Sequence, residues 1–268
     1  MNPWLMIAIG FLGNGLLMTG LWLVQRRTGN SGIVDVGWPA SVALLALFFC
    51  WGSEGLVARR ILVSLMLLVW GIRLSLHVAL RMRHEREDGR YTRLKQSWGD
   101  QANRRLFRFY QFQAIGGVLF ALPALLAARN ETPLGWLDGL AVLIWFISLA
   151  GESLADRQLH RFRTCPENRG RVCQTGLWRY SRHPNYFFEW LHWWAYVCLA
   201  VGAAWGWLTV IGPLAMLLII TKVTGIPPNE AQSLRSRGQA YRRYQQTTSP
   251  FFPWFPRSSS SFSGGSSS

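Results

Sequence analysis

Acidic residues are scarce in this chain: 13 Asp and Glu stand against 28 Lys and Arg, a net charge of +15 over 268 residues. Charge of both signs together is only 15%, too little for a disordered polyelectrolyte. The four cysteines, Cys50, Cys165, Cys173 and Cys198, are too few and too unpatterned for a disulfide framework. Cys165 and Cys173, with His160 nearby, match no zinc spacing. The phosphate-binding P-loop, the His-Glu pair of zinc proteases and the strand-turn-helix nucleophile elbow are missing too, and with them the chemistry those motifs carry. Gly10-x-x-Gly13-x-Gly15 lies inside a hydrophobic run and follows no strand, so it reads as close helix packing rather than a dinucleotide fingerprint.

Apolar residues are plentiful. Half the chain is hydrophobic, with 15 Trp and 15 Phe, and long apolar blocks alternate with basic loops. This predicts an all-α, polytopic membrane helix bundle with about seven transmembrane helices, near 3–24, 33–51, 61–80, 112–128, 136–155, 186–204 and 206–223. Arg26 and Arg27 follow the first span, and Arg59 and Arg60 precede the third. Two loops, 81–111 and 157–182, carry most of the remaining basic residues, while Arg129 alone lies between spans four and five. The positive-inside rule then sets the N-terminus outside and the C-terminus in the cytoplasm. Topology and anionic lipid account for the excess of arginine, so no nucleic-acid partner is expected. Residues 258–268 are a low-complexity Ser/Gly tail, expected to be disordered.

Polar residues gather in a few places. Arg179, Tyr180, Arg182, His183, Asn185, Tyr186 and Glu189 surround Pro184, which suits the first position of a helix. Arginines at a helix N-terminus suit phosphate groups, and Arg171 lies just upstream. Glu189 shares a face with Asn185, and a carboxylate at that depth is a functional candidate by default. Glu152 and Asp156 sit one turn apart at the end of span five, where carboxylates can accept from vicinal hydroxyls. In the first half, Asp35 and Trp38 open span two. His77 and Tyr91 are candidate proton donors, with Arg73 one turn before His77. In the tail, Glu230 and Tyr241 are candidates to close over a bound ligand.

These residues resemble a known family. Ser181-Arg182-His183-Pro184-Asn185-Tyr186 with Glu189, preceded by Glu152, Asp156, Gln158 and Arg171, is similar to the C-terminal domain of the steroid 5-alpha-reductases, nearest to their uncharacterised bacterial branch. Asp35-x-x-Trp38, Asp88-Gly89-Arg90-Tyr91 and the tail Glu230…Gly238…Tyr241…Tyr244…Pro253 look like that branch as well. Isoprenylcysteine carboxyl methyltransferases share a related Arg-His-Pro and Glu…Gly…Tyr…Tyr pattern, and Asn185 after the proline, with Glu152 and Asp156 upstream, favours the reductases. The resemblance implies one transmembrane reductase-like domain over 1–257, with substrate-side helices in 1–111 and a cofactor-binding half in 112–257. It implies NADPH bound by Asp156, Arg171, Asn185 and Glu189, and hydride transfer to a C=C bond of a lipid-like substrate drawn from the bilayer. Glu152 stands where the reductases carry Asn, and the Gln-Glu-x-Pro-Ser element of the steroid enzymes has no counterpart here. Asp35, His77 and Tyr91 are then the catalytic candidates. The remaining cofactor candidates are Arg179, Tyr180, Arg182, His183, Tyr186, Glu230 and Tyr241. An integral protein of the bacterial inner membrane is expected, with the cofactor side cytoplasmic and no obligatory protein partner. The alternatives are an S-adenosylmethionine-dependent membrane methyltransferase and a non-catalytic membrane protein or transporter.

Overall fold

Hydropathy locates the helices of this protein but not their ends. A computed structural model describes residues 1–84, 87 and 89–257, so the expectations for Arg86, Asp88 and the 258–268 tail lie outside the described residues. The elements are α1 (Pro3–Thr28), α2 (Ile33–Gly52), α3 (Val57–His84), α4 (Gly89–Trp98), α5 (Ala102–Ala128), α6 (Trp136–Thr164), α7 (Pro184–Ala200), α8 (Ile211–Leu218) and α9 (Ile226–Thr247). Among the described residues there is no strand. The fold is all-helical, as the composition predicts.

Six helical stretches among the described residues are long and apolar enough to cross a membrane, and the chain is an integral membrane protein. α7, with 17 residues, sits at the short limit for a span. α5 begins ten residues before its apolar part, because Arg104, Arg105 and Arg108 are good helix formers and carry the helix outward. α6 continues past its apolar part to Thr164 for the same reason. The expected span 206–223 is broken into a 3-10 turn (Gly206–Val210), α8 and a π-turn (Ile219–Val223). α9 follows with five charged residues and lies outside the apolar stretch.

The chain divides into two compact units. The first comprises Met1–Ala141 and Tyr196–Gly212; the second comprises Val142–Ala195 and the chain from Pro213 on. In the first, α2 packs against α1, α3 and α5. One core cluster is built from Met6, Leu45, Phe49, Val118, Ala121 and Leu125. Of the three glycines near the start of α1, Gly10 is the one pressed against its neighbour: a Cβ there would come within 3.2 Å of Leu45 and Phe49, whereas one on Gly13 would meet nothing within 4 Å. In the second unit, α6 and α7 meet at Gly151, where the Phe188 ring occupies the place of a Cβ at 2.4 Å.

Arg59 and Arg60 are structural donors rather than loop charges. Arg59 is buried, and its Nε and Nη2 grip both carboxylate oxygens of Asp138 at 2.9 and 3.0 Å. Its remaining N–H groups reach the carbonyls of Asn130, Thr132 and Pro133, fixing the turn before α6. Arg60 donates to the carbonyls of Cys50 and Trp51 at the end of α2. Asp138→Ala would strand the Arg59 charge. It is expected to cost about 3–5 kcal/mol, seen as an earlier thermal unfolding midpoint in detergent.

Candidate functional site

The chain returns from α6 to α7 along a path fastened to the last turns of α6. Trp178 Nε1 donates to the Ala155 carbonyl at 2.9 Å, and the Leu177 amide donates to Gln158 Oε1 at 2.9 Å. Asn185, the second residue of α7, donates from Nδ2 to Asp156 Oδ1 at 3.3 Å. One stretch of α6, Ala155–Gln158, therefore seats both the 176–179 turn and the N-terminus of α7. Asn185 Oδ1 is buried and has no hydrogen-bond partner among the described residues. A buried acceptor left unmet costs about 1–3 kcal/mol, so this oxygen suits a donor supplied by a ligand. Arg171 and Arg179 are exposed; Glu152 and Glu189 are buried, and Glu189 accepts from Trp193 Nε1 at 3.3 Å.

Arg182 faces inward instead. Its Nε lies 2.7 Å from Glu230 Oε1, and its Nη1 donates to the carbonyls of Gln245 and Thr248 at 2.8 and 2.9 Å. His183 Nε2 lies 3.4 Å from the same Glu230 oxygen, and Gln245 Nε2 donates to Glu230 Oε2 at 2.8 Å. The His183 ring stacks on Tyr186, with centroids 5.4 Å apart and planes inclined by 6°, and the Tyr186 hydroxyl accepts from Asn229 Nδ2 at 2.6 Å. Burial works to raise the Glu230 carboxyl. The His183 hydrogen bond, the Arg182 charge and the Gln245 amide outweigh it and hold the group down at about 2. Tyr241 is buried nearby, and burial pushes its hydroxyl up to about 12.

α9 is broken at Gly238, whose φ of 51° and ψ of −124° leave the helical region. Glycine is needed there for its backbone, since a Cβ would meet nothing within 4 Å. Beyond the break, the Tyr244 hydroxyl bonds the Trp178 carbonyl and lies 3.2 Å from that of Ser181. The following strap is pinned by Ser181 Oγ to the Phe251 carbonyl and by the Trp254 amide to the Tyr180 carbonyl. The half-buried Tyr180 ring meets Phe255 edge to face.

The first unit holds a second polar cluster. The Tyr91 hydroxyl donates to Asp35 Oδ1 at 2.8 Å, and Arg90 Nη2 lies 3.3 Å from Asp35 Oδ2. Two catalytic candidates from the sequence are thus joined, while His77 stands half-buried on α3. Pro39 lacks the N–H that would bond the Asp35 carbonyl, and Ser75 Oγ of α3 donates to the neighbouring Val36 carbonyl at 2.9 Å. Glu87 receives Lys95 at 2.6 Å and the Ser31 amide at 2.7 Å; these bonds outweigh burial and lower its carboxyl. Asn229, Gln245 and Glu87 are absent from the candidates read in the sequence. Asn229 adjoins Glu230 and could have been suspected, but Gln245 meets Glu230 only through the break at Gly238.

A family model described as "Protein of unknown function (DUF1295)" matches residues 21–248, which include every catalytic and cofactor candidate but not the strap residues Phe251, Trp254 and Phe255. The chain belongs to the DUF1295 family. It is also 28% identical over 282 residues to the uncharacterised protein C594.04c of Schizosaccharomyces pombe, covering 94% of this chain and 80% of that protein. No solved structure matches this DUF1295 protein.

A depressed carboxylate stabilises the fold above its ordinary value and loses that contribution as pH falls toward its folded value. Glu230 should therefore contribute fully above about pH 4.5 and progressively less toward pH 2. Glu230→Gln is expected to lower the unfolding midpoint at pH 7 by an amount corresponding to about 3 kcal/mol, and the mutant and parent melting curves should converge in acid. Gly238→Ala should cost about 1–2 kcal/mol through backbone strain alone, read in the same melting assay at neutral pH.

Proposed function

We propose that this chain is an NADPH-dependent membrane reductase that transfers hydride to a C=C bond of a lipid-like substrate. The observation that carries the reading is the unmet Asn185 Oδ1, buried at the N-terminus of α7 and bonded through its amide to Asp156. An amide or hydroxyl of a nucleotide cofactor would supply the missing donor, and Asp156 can accept from a second such group. Arg171 and Arg179 are exposed and suited to meet phosphate, whereas Arg182 spends Nε and Nη1 inside the protein. Glu230, His183, Tyr186 and Tyr241 form the wall that holds this segment in place. The resemblance to the steroid 5-alpha-reductases supports the same cofactor, which when bound supplies the hydride.

The first unit, taken by itself, holds a hydroxyl against a carboxylate, Tyr91 on Asp35, with the Arg90 cation beside them. Such a pair fixes the direction of the hydroxyl and suits it to hold or pass a proton at Tyr91 Oη. In this reading the protein is a multi-pass component of the bacterial inner membrane with its cofactor side in the cytoplasm.

Thermal stabilisation of the detergent-purified protein by added NADPH tests the proposal. NADPH is expected to raise the unfolding midpoint. Arg171→Ala and Asn185→Ala should each weaken half-saturation by about tenfold or more, the loss of one charge-assisted or otherwise unmet hydrogen bond. Stabilisation by S-adenosylmethionine with none by NADPH would overturn it in favour of a methyltransferase, and no response to either would point to a non-catalytic protein.

A further inference from the structure

The strap after α9 divides its aromatic side chains between core and surface. Phe251 is buried against Phe187 and Trp190, whereas Phe252, Trp254 and Phe255 are 53%, 72% and 76% exposed. Large aromatic side chains left together at a surface mark an interaction site. Their order along the strap says what kind. The Phe252 ring lies edge to face on Trp190, with centroids 5.5 Å apart. Trp190 stands six residues after Pro184, about 9 Å into α7 at a rise of about 1.5 Å per residue. Two residues on, the Trp254 amide bonds the Tyr180 carbonyl, which precedes α7. The Arg257 amide then reaches the Thr247 carbonyl at the end of α9, at 2.8 Å. The strap thus runs from the flank of α7 outward to a polar helix end. It carries phenylalanine first, tryptophan next and arginine last.

Arg257 has a cationic neighbour. Arg243 lies one turn before Thr247 on the same face of α9, away from the buried Tyr241 and Tyr244. Arg243 and Arg257 are exposed, and neither makes an ion pair among the described residues. From Ala231 to Arg257 the chain holds five arginines and no acidic residue. The acid just before this stretch, Glu230, is taken up by Arg182, His183 and Gln245. Pro250, Pro253 and Pro256 narrow the backbone choices of the strap, and its main-chain bonds fix it, so these groups are presented already ordered.

A passage from apolar through aromatic to cationic over one short segment matches a bilayer interface, from acyl chains to headgroups. A soluble protein partner has no such gradient, and two uncompensated arginines select an anionic surface. We propose that Phe252, Trp254 and Phe255, with Arg243 and Arg257, form a site for an anionic phospholipid. The rings enter the boundary between acyl chains and headgroups, and the guanidinium groups hold the anionic headgroup. Trp254 bonds Tyr180 and the Phe251 carbonyl takes Ser181, so a lipid seated here also secures the segment that leads into α7. A site of this kind needs no bound cofactor and stands apart from the reductase reading.

The test follows the unfolding midpoint of the full-length protein in a neutral detergent as phosphatidylglycerol, phosphatidylcholine or water-soluble glycerol phosphate is added. Phosphatidylglycerol should stabilise the wild type at about thirtyfold lower concentration than phosphatidylcholine, the attraction of two arginines to an anionic surface. Glycerol phosphate, which offers the rings nothing, should not stabilise it. Arg243→Gln combined with Arg257→Gln should erase the preference. Trp254→Ser combined with Phe255→Ser should weaken the response to both lipids by about tenfold or more. Arg104→Gln with Arg108→Gln removes the same charge from the start of α5 and should leave the preference intact. The proposal fails if the wild type treats the two lipids alike, or if the preference survives the loss of Arg243 and Arg257. It fails equally if the α5 pair erases the preference, which would make net charge the cause, or if glycerol phosphate acts as well as the lipid. Self-association of the wild type that the serine variant abolishes would assign the rings to a second copy of the chain and overturn it too. Should the serine variant not fold, the arginine variants decide the matter alone.

Discussion

The second unit hangs on one buried ion pair, Arg182 with Glu230. Removing two charges from water is costly, and a pair of this kind is weak evidence for stability by itself. Its value here lies in what else the two groups hold. The guanidinium reaches Glu230 before the break at Gly238 and the carbonyls of Gln245 and Thr248 after it. The carboxylate in turn takes His183 and Gln245. A helix interrupted by a left-handed residue is thereby kept in one arrangement, and the loop before α7 is held to it. The pair thus backs the start of α7, whose Asn185 meets Asp156 of α6 on its other side.

Buried polar groups in this protein fall into two kinds, and the difference separates structure from function. Arg59 uses every N–H it has, on Asp138 and three carbonyls, and leaves nothing for a ligand. Asn185 Oδ1 and Trp38 Nε1 are buried atoms without a hydrogen-bond partner among the described residues. A native chain keeps few such atoms, and each calls for an explanation. The charged residues that look most functional in the sequence are among the most thoroughly used inside the protein.

That contrast also explains what was legible in the sequence. The helices were, because apolar blocks as long as Ile33–Gly52 have few other uses. Their ends were not: Arg104, Arg105 and Arg108 read as loop by hydropathy and fold as the start of α5. Asp35 and Tyr91 could each be named as chemical groups, but their bond joins residues 56 apart and has no local signature. Arginine at a helix mouth reads the same whether it faces a phosphate or a carboxylate. For Arg182 the choice depends on Glu230, 48 residues away. Gly238 is plain in the sequence but its φ is not, so the return of Gln245 toward Glu230 had no local signature.

The strap after α9 is held chiefly through its main chain. Arg182 takes the carbonyls of Gln245 and Thr248, its amide takes that of Ser249, and Ser181 takes that of Phe251. The Trp254 amide completes the series on Tyr180. Every residue has a carbonyl and all but proline an amide, so these bonds place few demands on side-chain identity. The demand on side-chain identity falls instead on single positions such as Phe251, which is buried against Phe187 and Trp190.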